Sequence, residues 1–219
     1  MAEKYGEIPP RFTQKWWEYF WYYYKWHVII TAAALLVAAV TIVQCATREK
    51  YDMNIIYAGH MRYSESEVAR AEEIFSRYVT DVDGNGEQSV FFQTLMFSDG
   101  AGNEEYDYAI QTKLDFTFTD DRTFIYLLDE VEAKLYLQRA SVSDVFENTD
   151  LYAPNTDAEI LTAADGTGFA VNLNNSSLLR DNGIYCDDLY LLVRRNNETD
   201  EKNIQSHEDA LNIAKELIK

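Results

Sequence analysis

From Val28 to Val43 sixteen consecutive residues carry no charge, and from Trp16 to Trp26 nine of eleven side chains are aromatic. The apolar run extends to Ala46, nineteen residues with Gln44 its one strongly polar member. As a helix rising ~1.5 Å per residue it reaches about 28 Å, close to the hydrocarbon thickness of a bilayer. Trp and Tyr rings have an apolar body and a polar tip, so they collect where one end is dry and the other wet. Trp16, Trp17, Tyr19, Phe20, Trp21, Tyr22, Tyr23, Tyr24 and Trp26 are therefore assigned to the headgroup layer of a membrane. Pro9 and Pro10 stop any earlier helix, and the pattern predicts one continuous helix from near Thr13 to Ala46.

After a polar hinge at Thr47–Tyr51 the period changes repeatedly. Met53 to Ala58 is a short β-rich run closed by Gly59. Ser64 with Glu67 three residues on is a capping box, and Val68, Ala71, Phe75, Tyr78 and Val79 follow at helical spacing. Ser89 to Phe97 and Thr123 to Leu128 read as further strands, with a helix capped by Asn103 between them and another running to about Leu137. This alternation predicts an α/β domain with a largely parallel or mixed sheet. Glu159–Thr162 and Gly168–Leu173 form a predicted hairpin across Asp165-Gly166, and Leu189–Arg194 another strand. Ser206 with Asp209 is read as the start of a terminal helix, which leaves His207 facing solvent. The expected organisation is a cytoplasmic leader (1–15), aromatic belt and transmembrane helix (16–47), and an extracytoplasmic acidic domain (48–219).

Charge sharpens that division. Residues 1–50 hold six Lys/Arg and four Asp/Glu, whereas residues 51–219 hold thirteen against thirty-three. An acidic surface of that size repels phosphate backbones and excludes nucleic acid as a natural partner. Lys4, Arg11, Lys15 and Lys25 precede the apolar run and Arg48, Lys50 and Arg62 follow it, a bias toward an inside N-terminus. A cleaved signal has a shorter apolar core and a small-residue cleavage site, so a permanent anchor is expected. Cys45 and Cys186 offer no disulfide framework; Cys45 ends the apolar run without a lipoprotein-type motif before it, and Cys186 is read as a packed thiol.

Two constellations carry candidate chemistry. In the loop DVDGNGE, Asp81, Asp83 and Asn85 stand at alternate positions around Gly86, with Glu87 following; hard oxygens in that pattern suit calcium. The twelfth position, where a bidentate Glu belongs in an EF-hand, is Phe92 in a predicted strand, so only a partial, weak calcium site is expected. The second constellation follows from topology, because open parallel sheets bind ligands beyond the carboxyl ends of their strands. Those positions are Gly59 and His60, Ser98 and Asp99, and Asp129 and Glu130, a set suited to a polar or cationic ligand. No GxSxG, HExxH, CxxC or phosphate-cradling Gly loop is present.

The stretch FWYYYKWHVII at residues 20–30 resembles the leader of uncharacterised single-pass membrane proteins of Gram-positive bacteria. That resemblance implies one spanning helix and an outer α/β domain. Residues 52–139, with the run FIYLLDEVEAKLYL, are similar to the first lobe of extracytoplasmic solute-binding proteins, although about eighty residues remain where a whole second lobe would be needed. The expectation is a membrane-anchored extracytoplasmic binding or accessory module beside a transporter or envelope assembly, its partners the lipid bilayer and a membrane protein. The competing expectations are an envelope hydrolase using strand-end carboxylates and a purely structural subunit of a membrane complex. If the acidic loop takes calcium, Asp83→Ala leaves the domain folded and abolishes a calcium-dependent rise in melting temperature of the intact chain. A wild-type melting curve indifferent to chelator refutes it.

Overall fold

The computed structural model describes residues 10–46, 51–98, 103–139 and 142–219. The chain divides into two compact units, 1–49 and 50–219. Among the described residues the first contains one helix, α1 (Gln14–Ala46), entered through Thr13, whose hydroxyl oxygen accepts from Trp16 N–H at 3.3 Å. Its rings stack along the helix four residues apart, Trp16 on Phe20 and Phe20 on Tyr24, both at 5.4 Å. Over Gln14–Val43 it is long and apolar enough to cross a membrane, and Ile30, Leu35, Leu36, Val37 and Ile42 all stand exposed. The side chain of Cys45 lies outside the described residues.

The second unit is α/β with a mixed sheet. In chain order its elements are β1 (Met53–Gly59), α2 (Glu65–Ser76), β2 (Val90–Met96), α3 (Glu104–Thr117), β3 (Thr123–Asp129) and α4 (Glu130–Leu137). There follow α5 (Val142–Val145), a 3-10 turn (Thr149–Leu151), β4 (Ile160–Thr162), β5 (Gly168–Asn172), α6 (Ser177–Asp181), β6 (Leu189–Val193) and α7 (Glu201–Leu217). The strand order is β2-β1-β3-β6-β5-β4. β1 is parallel to both β2 and β3, whereas β6, β5 and β4 are each antiparallel to the neighbour before them. Helical crossovers make the first half parallel; the β4–β5 hairpin, turning at Gly166 with φ 85°, makes the far edge antiparallel.

Alternation along the strands feeds two cores. Met53, Ile55 and Tyr57 of β1 face α2 and α7, where Ala71, Phe75, Ile213 and Leu217 are buried. Ile56 and Ala58 face the opposite layer, with Leu114 of α3 and Ala133, Tyr136 and Leu137 of α4. A bulge puts one extra residue in β3 between Thr123 and Ile125, so Phe124 and Ile125 both reach the first core. Both faces of β3 are covered, which its unbroken apolar run anticipates.

The capping box of α2 forms as the sequence requires, with Ser64 N–H donating to Glu67 at 2.9 Å and Glu67 N–H to the Ser64 hydroxyl at 3.3 Å. Two helix starts differ from expectation. Asn103 precedes α3 but its side chain makes no capping bond. The terminal helix opens at Glu201, not Ser206, and the carboxylate of Asp209 is drawn inward to accept from Thr80 N–H at 2.7 Å. His207 consequently is not solvent-facing. It sits half-buried, its ring 5.4 Å from Phe124 and its Nε2 3.3 Å from Glu147. Burial holds its imidazole below the usual range.

Arg194 pins the join between the two halves of the sheet. Its guanidinium donates to the carbonyls of Thr123, Phe118 and Asp120 at 2.7, 3.0 and 2.8 Å and lies over the Phe124 ring at 4.6 Å. Arg194→Ala strands three acceptors, and the expected loss is about 2–3 kcal/mol, read as a lower urea midpoint of the intact chain in detergent. Arg194→Lys restores little of it, because one ammonium cannot reproduce a planar fork. A midpoint unchanged in Arg194→Ala overturns the pinning role.

Candidate functional site

The chain leaves β1 for α2 on one face of the sheet and leaves β3 for α4 on the other. Adjacent parallel strands whose exits diverge in this way open a crevice at their carboxyl ends, the switch point where α/β proteins place ligands. The residue ending β3 is Asp129 and the residue following β1 is His60.

Their contact is close. Asp129 Oδ2 accepts from His60 N–H at 2.9 Å and lies 2.6 Å from His60 Nδ1. Asp129 Oδ1 accepts from Glu132 N–H at 2.9 Å, so the same carboxylate caps α4. A carboxylate partner at Nδ1 keeps the ring proton there and makes Nε2 the basic nitrogen. Gly59 is the condition for this approach, because a Cβ at that position would stand 2.8 Å from Asp129 Oδ2 and 2.7 Å from the Tyr57 hydroxyl. A cavity of 150 Å3 adjoins the pair, lined by Tyr57, His60, Tyr63, Asp129, Tyr185 and Asp187, with Asp188 and Met61 beside them. Asp187 and Asp188 arrive because β6 runs antiparallel to β3, so its first residue, Leu189, pairs with Asp129.

The predicted strand-end residues therefore divide. Gly59, His60 and Asp129 come together. Ser98 donates its N–H and its hydroxyl to Asp107 at 2.8 and 2.6 Å, and that carboxylate is held below the usual range by those bonds and by His60. Asp99 lies outside the described residues. Glu130 turns along α4 to pair with Lys134 and does not line the cavity, a departure set by i,i+4 geometry. The acid that lies buried nearby is Glu132. Its Oε2 has no hydrogen-bond partner among the described residues, and burial, reinforced by the charge of Asp129, pushes its carboxyl up to about 7. Sequence inspection passed over Tyr57, Asp107, Glu132, Asp187 and Asp188. Only Glu132 had a local signal, standing three residues after a capping Asp.

In the acidic loop the carboxylates accept from backbone N–H groups of their own turn. Asp81 accepts from the N–H groups of Gly84, Asn85 and Gly86, and these bonds hold its carboxyl below the usual range. Asp83 accepts from Asn85 N–H, and Asn85 turns its own carbonyl to Glu87 N–H at 2.7 Å. Among the described residues the acid that joins Asp81 and Asp83, with ligand atoms within 4.8 Å of one another, is Asp52 and not Glu87. Buried Asp52 accepts from Val82 N–H and Ser89 N–H at 2.8 and 2.9 Å, fastening the loop to β1. Elsewhere, a larger cavity of 730 Å3 opens between residues 153–158 and the end of α7, and none of the strand-end residues lines it. Buried Cys186 is a packed thiol, pushed up by burial.

No family model, curated protein or solved structure matches this chain.

A carboxyl that keeps its proton to about pH 7 when folded, against 4.5 ordinarily, makes folding take up a proton in that window. Stability then declines as pH rises through it. Glu132→Gln removes the decline, so it stabilises the intact chain at pH 8 by an amount on the order of 3 kcal/mol and leaves stability at pH 4 nearly unchanged. Urea midpoints of both proteins across that range test it; parallel pH profiles overturn the assignment.

Proposed function

We propose that the chain is a membrane-anchored, extracytoplasmic binding or accessory module, whose acidic α/β domain takes a small polar ligand at the carboxyl edge of its sheet. The observation that carries the reading is the convergence of His60 and Asp129, brought close across Gly59, with Tyr57, Asp187 and Asp188 around one cavity at the β1/β3 switch point. Scattered or mutually filled strand ends would have favoured a scaffold. The anchor reading rests on the helix long and apolar enough to span, with nine interfacial rings at its start. The preceding basic residues favour an inside N-terminus. A tether of this kind raises the domain's concentration beside a transporter or envelope partner.

A second reading has its own support. Glu132 is pushed up and Asp107 held down, and both feel His60. Carboxyls driven apart in this way suit acid–base hydrolysis. In that reading Glu132, and not Glu130, is the acid.

Two measurements test the proposal. Protease added to whole cells is expected to degrade the part after Tyr51, and the chain to stay with membranes until detergent is added; a spared domain or a freely soluble chain overturns the anchor. A thermal-shift screen of polar solutes on the intact detergent-solubilised chain is expected to find a saturable stabiliser lost in His60→Ala. A solute that is instead turned over, with turnover lost in Glu132→Gln, transfers the assignment to the hydrolase.

A further inference from the structure

We propose that the crevice at the β1/β3 switch point is a site for a small organic ammonium that also bears a hydrogen-bond acceptor, with Asp188 taking its charge and Tyr57 its acceptor. This rests on the reading of the crevice as a ligand site and narrows that reading to one chemistry.

Charge is the first argument. Among the described residues the cavity lining holds Asp129, Asp187 and Asp188 and no Lys or Arg. Arg180 answers Asp187 at 3.2 Å, and His60 answers Asp129. Asp188 makes no side-chain hydrogen bond or ion pair among the described residues, and it stands exposed at the cavity mouth. One negative charge is therefore left for a ligand.

The second argument is a buried hydroxyl. Tyr57 is 1% exposed, and its oxygen accepts from Met61 N–H at 2.8 Å. Its own proton meets no acceptor among the described residues, although a buried donor left unmade costs about 1–3 kcal/mol. An acceptor on the ligand completes it. Tyr57 and Tyr63 meet edge to face at 4.8 Å, and Tyr185 adds a third ring to the lining. Aromatic faces attract an alkylammonium while its carbon skeleton covers them.

The third argument separates the crevice from a three-acid metal site. Among the described residues the acids that bring ligand atoms within 4.8 Å as a set of three are Asp52, Asp81 and Asp83, and none of them lines the crevice. The cavity's 150 Å3 suits a ligand of a few heavy atoms.

Asp188 also supplies a clean test. It holds the left-handed backbone, φ 56°, and its N–H donates to the Asn174 side chain at 2.6 Å. Asn tolerates that conformation as Asp does, so Asp188→Asn removes charge and keeps the turn. The full chain in detergent is titrated calorimetrically with 2-aminoethanol, ethylammonium, 1,2-ethanediol and acetate at matched ionic strength. Saturable binding of 2-aminoethanol is expected, with ethylammonium weaker and the other two silent. Asp188→Asn is expected to weaken 2-aminoethanol about tenfold without moving the unliganded melting temperature. Tyr57→Phe narrows the gap between the two ammonium compounds. No saturable ammonium binding, equal binding of ethanediol or acetate, or an unaffected Asp188→Asn each overturns the cation assignment. If a neutral or anionic solute then binds in a His60-dependent way, the crevice stands as a ligand site and its cation chemistry alone falls.

Discussion

Three parts of the α/β domain meet on one carboxylate. Asp129 ends the central strand, caps the helix that follows, and receives the backbone and ring of His60 as the chain leaves the neighbouring strand. A carboxylate offers about four lone-pair sites, and three of them are engaged here. The crevice inherits its geometry from this clamp, since α4 cannot start elsewhere and His60 cannot swing away without stranding an N–H. Gly59 is the enabling residue, for any side chain there meets both Asp129 and Tyr57 below 3 Å.

The same physics distinguishes carboxylates that lie close together in sequence. Glu130 stands exposed on the first turn of α4 and is matched by Lys134, the weak kind of pair that decorates helices. Glu132 lies two residues on and is turned to the buried side, where one of its oxygens has no partner among the described residues. Burial, more than residue type, makes the second a candidate acid and the first a surface charge. In the loop after α2, Asp81 and Asp83 are occupied by backbone N–H groups of their own turn, and buried Asp52 ties that turn to β1. The alternation that looks like a calcium loop thus also does the work of folding a tight connection.

Much of the architecture was legible because it rests on local rules. The long helix, the capping box at Ser64 and Glu67, the three strands of the parallel half and the hairpin turning at Gly166 follow from apolar period, end chemistry and turn residues, all of which act within a few positions. His60 and Asp129 were legible at one remove, since strand ends that neighbour each other share an edge. Asp187 and Asp188 were not, nor was the inward face of His207, and Glu132 was marked only by its place three residues after a capping Asp.

The sequence by itself determined where apolar surface must go: a helix suited to hydrocarbon, an acidic α/β domain suited to water, and strands long enough to bury both faces. Those outcomes are sums over neighbouring residues, so no distant partner can reverse them. Only the tertiary structure decided that β6 runs back beside β3, because strand pairing is a choice among distant segments that no local period records. That choice carries two aspartates to the mouth of the crevice, and with them the negative charge of its lining.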